Sequence, residues 1–125
     1  MILDTNALSA FADGDTALAA LVSGADRLAL SPIVLGEYRF GIAASRFRAR
    51  YEAWLERIEA EAEILPMTDA TSRHYAQVRR ELRMAGTPIP WHDIWIAAQC
   101  REHRLPVTSQ DAHFDQVEGI RRLSW

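Results

Sequence analysis

The sequence predicts an α/β protein with a mostly parallel sheet of about five strands. Short apolar runs typical of strands alternate with longer segments that carry apolar residues at helical spacing. Turn and capping residues separate these segments. The 125 residues are 49% hydrophobic and 25% charged, as in a globular protein with a core. With no repeat, linker or low-complexity tract, we expect residues 1–125 to form a single domain.

The first half of the chain alternates strands and helices in the order that a parallel sheet requires. A Ser31-Pro32 pair marks one helix start, because serine caps a helix and proline fits its first position. The predicted elements of this half are a strand ending at Asp4, a helical stretch over 7–22 broken by the turn at 13–15, a strand over 27–30 and a helix over 32–44.

The second half continues the alternation. An apolar stripe predicts a further helix, and it consists of Phe47, Tyr51, Trp54, Leu55 and Ile58. The loop over 86–90 contains one glycine and two prolines and cannot continue a helix. The other predicted elements are a strand at 64–65, a helix capped by Thr68 or Asp69, a helix over 91–103, a strand over 105–108 and a last strand over 119–123.

Four carboxylates lie where predicted strands end or helices begin, and all four adjoin apolar sequence. They are Asp4, Glu37, Asp93 and Asp111. Charges near a core are normally paired or metal-bound, and ligands of a parallel sheet bind at the carboxyl ends of its strands. We therefore expect the four carboxylates to lie together at the edge of the sheet formed by the carboxyl ends of its strands. Their hard oxygen ligands suit Mg²⁺ or Mn²⁺ and indicate metal-dependent phosphodiester chemistry.

Each carboxylate also has a structural interpretation when it is taken alone. Glu37 fits a solvated helix position, and Asp93 fits a partner of the helix dipole. Asp111 fits a turn former or a helix cap. Asp4 is the hardest of the four to explain structurally, because it directly ends an apolar strand.

Composition excludes several classes of protein. The net charge of −3 is unlike that of a DNA-coating protein, and all 14 basic residues are arginines. Phosphotransfer proteins of the haloacid-dehalogenase and receiver types need a lysine, and the former also need an aspartate where Asn6 stands. The single Cys100 rules out an intrachain disulfide and fits a reducing, cytoplasmic compartment. No run is long enough to span a membrane, and no leader peptide is expected.

Four stretches carry a resemblance to a known family. They are 3–6 (Leu-Asp-Thr-Asn), 35–37 (Leu-Gly-Glu), 92–98 (His-Asp-Ile-Trp-Ile-Ala-Ala) and 107–114 (Val-Thr-Ser-Gln-Asp-Ala-His-Phe). Together with the ending over 118–125, they resemble the PIN-domain ribonucleases, specifically the toxin subunit of VapBC-type toxin–antitoxin pairs. One departure is His92, where an asparagine often precedes the helix aspartate.

The resemblance implies a PIN-like three-layer α/β/α sandwich and assigns roles to individual residues. The catalytic acids would be Asp4, Glu37, Asp93 and Asp111. The metal ligands would be Asp4, Asp93 and Asp111, with Glu37 and Asp115 as further candidates. Asn6 and Thr108 would support the site.

The function that the resemblance implies is that of a Mg²⁺-dependent endoribonuclease, with Mn²⁺ as a second possible ion. Such a toxin hydrolyses RNA, for instance tRNA, and is covered by a cognate antitoxin; a homodimer is also implied. The alternative is a PIN-like protein-binding module without nuclease activity. Such modules usually lack one or more of the acids, whereas all four are present here.

Overall fold

The computed structural model describes all 125 residues as five short strands and six α-helices. The strands are β1 (Ile2–Leu3), β2 (Ala29–Leu30), β3 (Glu63–Ile64), β4 (Val107–Thr108) and β5 (Arg122–Leu123). The helices are α1 (Thr5–Ala12), α2 (Thr16–Ser23), α3 (Pro32–Ile42), α4 (Arg48–Glu61), α5 (Asp69–Ala85) and α6 (Trp91–His103). A 3₁₀ turn, Ala112–Gln116, follows β4.

The five strands form one parallel sheet in the order β3-β2-β1-β4-β5. The chain first moves outward from β1 to β3 and then returns to the other side of β1 to form β4. Right-handed crossovers place the helices of these two halves on opposite faces of the sheet. Accordingly, α1 contacts α2, α3 and α4, while α5 packs along α6. The predicted α/β/α sandwich with a five-stranded sheet is confirmed.

Several boundaries differ from the sequence prediction. The first helix begins at Thr5 instead of residue 7, because the Asp4 carboxylate accepts a hydrogen bond from the Ala7 amide and starts the helix directly behind β1. The third strand begins one residue earlier, at Glu63. The last strand is confined to residues 122–123, and Gly119 ahead of it has a positive φ of 80°. The 3₁₀ turn was not predicted.

The core fills the space between the sheet and both helical layers. The strand side chains of Ile2, Leu3 and Leu30 are wholly buried, and α6 is buried over most of its circumference. Cys100 on α6 is buried as expected, and burial raises the pKa of its thiol to about 12. None of the helices has the length and apolar character needed to traverse a lipid bilayer.

Candidate active site

The candidate site lies where the strand order reverses, between β1 and β4. These neighbouring parallel strands pair Leu3 with Thr108, and the segments that follow them lead away toward different parts of the fold. A crevice forms at such a switch point outside the carboxyl ends of the strands. The residues that enter it are those that directly follow the two strands, namely Asp4 after β1 and the segment 109–111 after β4.

Asp4 is a buried carboxylate, with 5% of the residue exposed. It caps α1 by accepting a hydrogen bond of 2.7 Å from the Ala7 amide. The Ser109 side chain lies beside this carboxylate and lowers its pKa, which the strand register explains, since residues 4 and 109 come one step after the Leu3–Thr108 pair. Burial raises the pKa of Asp4, the hydrogen bonds lower it, and the charge of Asp111 raises it further.

Asp93 is the third residue of α6 and is 8% exposed. Burial raises the pKa of its carboxyl to about 6, and the negative charges of Asp111 and Asp4 add to this rise. The neighbouring imidazoles of His92 and His113 act in the opposite direction. Burial and the two neighbouring carboxylates thus outweigh the imidazoles.

Asp111 closes the site from the β4 side. Its carboxylate caps the 3₁₀ turn through the His113 amide, at 2.9 Å, and lies 3.1 Å from the His113 Nδ1 atom. Its own amide donates to the Ser109 hydroxyl at 2.9 Å, which fixes the turn. Three residues, Asp93, Asp111 and His113, each offer one atom that could bind a metal ion. These three atoms lie within 4.8 Å of one another.

Glu37 forms the opposite wall, on α3. The Thr5 hydroxyl donates a hydrogen bond to its carboxylate. The His92 Nε2 atom lies 3.8 Å from an oxygen of Glu37 and 3.8 Å from an oxygen of Asp93. His92, the departure from the family pattern, therefore sits between two of the acids.

All four predicted acids line one cavity of about 420 Å³. The remaining lining residues are Thr5, Asn6, Phe40, Pro90 and His92. Carboxylate oxygens are the ligands that Mg²⁺ and Mn²⁺ prefer. Like charges brought together at a half-buried site repel each other unless a cation is present. The donor set and the raised pKa values of Asp4 and Asp93 therefore both fit a divalent ion.

Two other predicted residues are placed outside this arrangement. Asp115, expected as a further ligand, is exposed and forms a two-point ion pair with Arg122 at 2.8 and 2.7 Å, which lowers its pKa. The Thr108 hydroxyl is buried and donates to the Met1 Sδ atom at 3.2 Å, so its side chain does not reach the acids. Thr108 meets the site through its carbonyl, which accepts from the Asp4 amide at 3.1 Å.

Sequence reasoning missed two residues that hold the acids in position, Ser109 and Thr5. A serine two residues before an aspartate is typical of a hydrogen-bonded turn and could have indicated Ser109. No sequence signal links Thr5 to Glu37, because 32 residues separate the two side chains.

This fold and this cavity define a PIN-type α/β protein, and comparison with known proteins agrees. A sequence model of the PIN domain family matches residues 1–120. Ribonuclease VapC5 of Mycobacterium tuberculosis is 35% identical over 94% of this chain and 87% of its own length. The tRNA(fMet)-specific endonuclease VapC of Salmonella typhimurium is 30% identical over 79% of this chain and 76% of its own.

Solved structures give the same result. The structure of VapBC-5, a member of the VapBC family of toxin-antitoxin systems from Mycobacterium tuberculosis, superimposes with a TM-score of 0.77. The two chains are 31% identical, and the match covers 99% of this chain and 97% of that one. The chain belongs to the PIN domain family and, within it, to the VapC ribonucleases.

Proposed function

We propose that this protein is a divalent-metal-dependent endoribonuclease that acts as the toxin of a type II toxin–antitoxin pair. The observation that carries the proposal is the convergence of Asp4, Glu37, Asp93 and Asp111 on one cavity at the switch point of the sheet. Because the chain belongs to the VapC ribonucleases, RNA is the proposed substrate.

Asp4, Asp93 and Asp111 are the proposed metal ligands, with Glu37 as a further one. Mg²⁺ is the proposed ion and Mn²⁺ its substitute, because the donor set is made of carboxylate oxygens. The chemistry that such an ion supplies when bound is a lowered pKa of water, a polarised phosphate and stabilisation of the leaving oxygen. Asp115 has no part in this proposal, since Arg122 neutralises it.

The surrounding residues orient the acids and the substrate. Ser109 and the Ala7 amide fix the Asp4 carboxylate, and Thr5 fixes that of Glu37. His92, between Glu37 and Asp93, is positioned to donate a hydrogen bond to a water or a phosphate oxygen in the cavity. Glu37 is partly exposed at the wall of the cavity, and its carboxylate is proposed to orient the attacking water.

Partners follow from the same proposal. A cognate antitoxin would cover the acid cavity, and a homodimer is the proposed state of the toxin. By analogy with the Salmonella relative, whose name specifies tRNA(fMet), a tRNA is the proposed substrate. The site of action would be the cytoplasm.

Incubation of the purified protein with RNA and Mg²⁺ or Mn²⁺ tests the proposal. Cleavage should disappear with EDTA and in Asp93→Asn, which removes one charge from the site at nearly constant volume. Asp26→Asn is the matched control, because Asp26 is exposed and makes no ion pair, and it should cleave like the wild type. Cleavage that survives both EDTA and Asp93→Asn would indicate a contaminant. No cleavage of any RNA, with a tight protein partner, would favour the binding module.

A further inference from the structure

A second hollow lies beside the acid cavity, on the other side of the first turn of α6. Its volume is about 360 Å³. Most of its lining is apolar, but two arginines from the last turns of α5 also contribute. Its main lining residues are Leu82, Ile89, Trp91, Ile94, Arg79 and Arg83.

The same few residues separate the two cavities. Pro90, His92 and Asp93 line the acid cavity, whereas Trp91 and Ile94 line the hollow. Successive side chains of a helix point in different directions, and a helix with its side chains is about 10 Å across. The two cavities therefore open on either side of one helix start, close enough for one chain molecule to reach both.

Trp91 is the unusual residue of this hollow. It is 61% exposed, although tryptophan is normally buried over most of its surface. Its ring meets the His92 ring edge-on, with centroids 5.7 Å apart, beside the acid cavity. An exposed aromatic face is a surface on which a nucleobase can stack.

The two arginines carry charge that no carboxylate neutralises. Arg83 makes no ion pair, and the guanidinium of Arg79 bonds only to the Tyr75 hydroxyl, at 3.2 Å. By contrast, Arg101 nearby on α6 is held by Glu81. Free guanidinium groups bind phosphate. The four carboxylates repel the negatively charged RNA backbone, whereas these two guanidinium groups beside them attract it.

We propose, on the basis of the proposed ribonuclease function, that this hollow binds the RNA nucleotide next to the phosphate in the acid cavity. Its base stacks on Trp91, and its phosphate contacts Arg83 and Arg79. A base inside a duplex cannot offer its face to a side chain. The segment that is cut must therefore be unpaired, as in a loop or a single strand.

The test measures RNA binding in EDTA in an Asp4→Asn background, so that turnover does not interfere. The probes are a fluorescent single-stranded oligoribonucleotide and its duplex, followed by anisotropy. Trp91→Leu should weaken single-strand binding about tenfold, while Trp91→Phe, which keeps an aromatic face, should retain most of the affinity. Single strands should bind more tightly than the duplex.

Salt dependence separates the phosphate contact from the stacking contact. Arg83→Gln should make the slope of log affinity against log salt shallower by about 0.7, whereas Trp91→Leu should leave the slope unchanged. Arg57→Gln is the matched control: Arg57 is exposed on α4 and forms no ion pair, and this variant should change neither affinity nor slope. In the active protein, Trp91→Leu should raise KM more than it lowers kcat.

Several outcomes would overturn the subsite. If the wild type cleaves RNA and both Trp91→Leu and Arg83→Gln bind RNA as tightly as their background, the subsite is wrong and the ribonuclease stands. If the variants change only oligomer mass or antitoxin affinity, the hollow is a protein contact. Absence of RNA binding at low salt overturns it as well. If RNA binds through Trp91 and Arg83 but is never cleaved, the subsite stands and the proposed ribonuclease activity is wrong.

Discussion

Replacing Asp93 by asparagine should stabilise the metal-free protein at neutral pH. In the folded state burial and neighbouring carboxylates raise the pKa of Asp93 from 3.8 to about 6. At neutral pH the charged carboxylate therefore costs about 3 kcal/mol of folding free energy. Asparagine has nearly the same shape and no charge, so Asp93→Asn should raise the free energy of unfolding by about 2–3 kcal/mol in EDTA.

The pH dependence gives this prediction its sign. Because the folded pKa lies above the unfolded one, the folded protein binds the proton more tightly, and stability is lost as pH rises from about 4 to about 6. The advantage of Asp93→Asn should thus be small at pH 4 and complete at pH 7. Urea unfolding followed by circular dichroism at both pH values measures it, with Asp26→Asn as the control.

With a divalent ion present, the wild type should become more stable than Asp93→Asn. An ion that binds only the folded state stabilises the wild type in proportion to the logarithm of its concentration above Kd, and Asp93→Asn lacks one of the proposed ligands. If Asp93→Asn were less stable than the wild type in EDTA at pH 7, or if the difference did not change with pH, the account of an uncompensated buried charge would be refuted.

Three further predictions concern the framework of the site. Asp4→Ala should be about 1 kcal/mol less stable than Asp4→Asn, because asparagine can still accept from the Ala7 amide; equal midpoints in urea would contradict the capping role. The buried Cys100, with a pKa of about 12, should react with a thiol reagent at neutral pH no faster than the protein unfolds. Gly86→Ala should cost about 1 kcal/mol, measured as a lower Tm by calorimetry, since Gly86 ends α5 with φ of 70° and a Cβ there would meet no atom within 4 Å.

The sequence predicted the layers of the fold because the alternation of strand-like and helical segments restricts the topology. Boundaries were less accurate where a side chain far along the chain, or a local cap, decides them. The early start of α1 depends on the Asp4 carboxylate, and the hydrophobic pattern carries no information about that hydrogen bond. The 3₁₀ turn depends in the same way on the cap that Asp111 provides to the His113 amide.

For the site, the sequence by itself indicated that Asp4 and Asp111 lie at the same edge of the sheet, because the carboxyl ends of parallel strands meet at one edge. That the two lie side by side was decided by the strand order, in which β1 and β4 are neighbours. Tertiary structure decided the pairing of individual atoms. Arg122 neutralises Asp115, and the Thr108 hydroxyl turns to Met1, because strand register and side-chain direction depend on contacts between residues distant in the chain. The spacing of apolar residues predicts which face of a helix or strand is buried and roughly where the element ends. Only the packed structure determines which side chain each polar group pairs with.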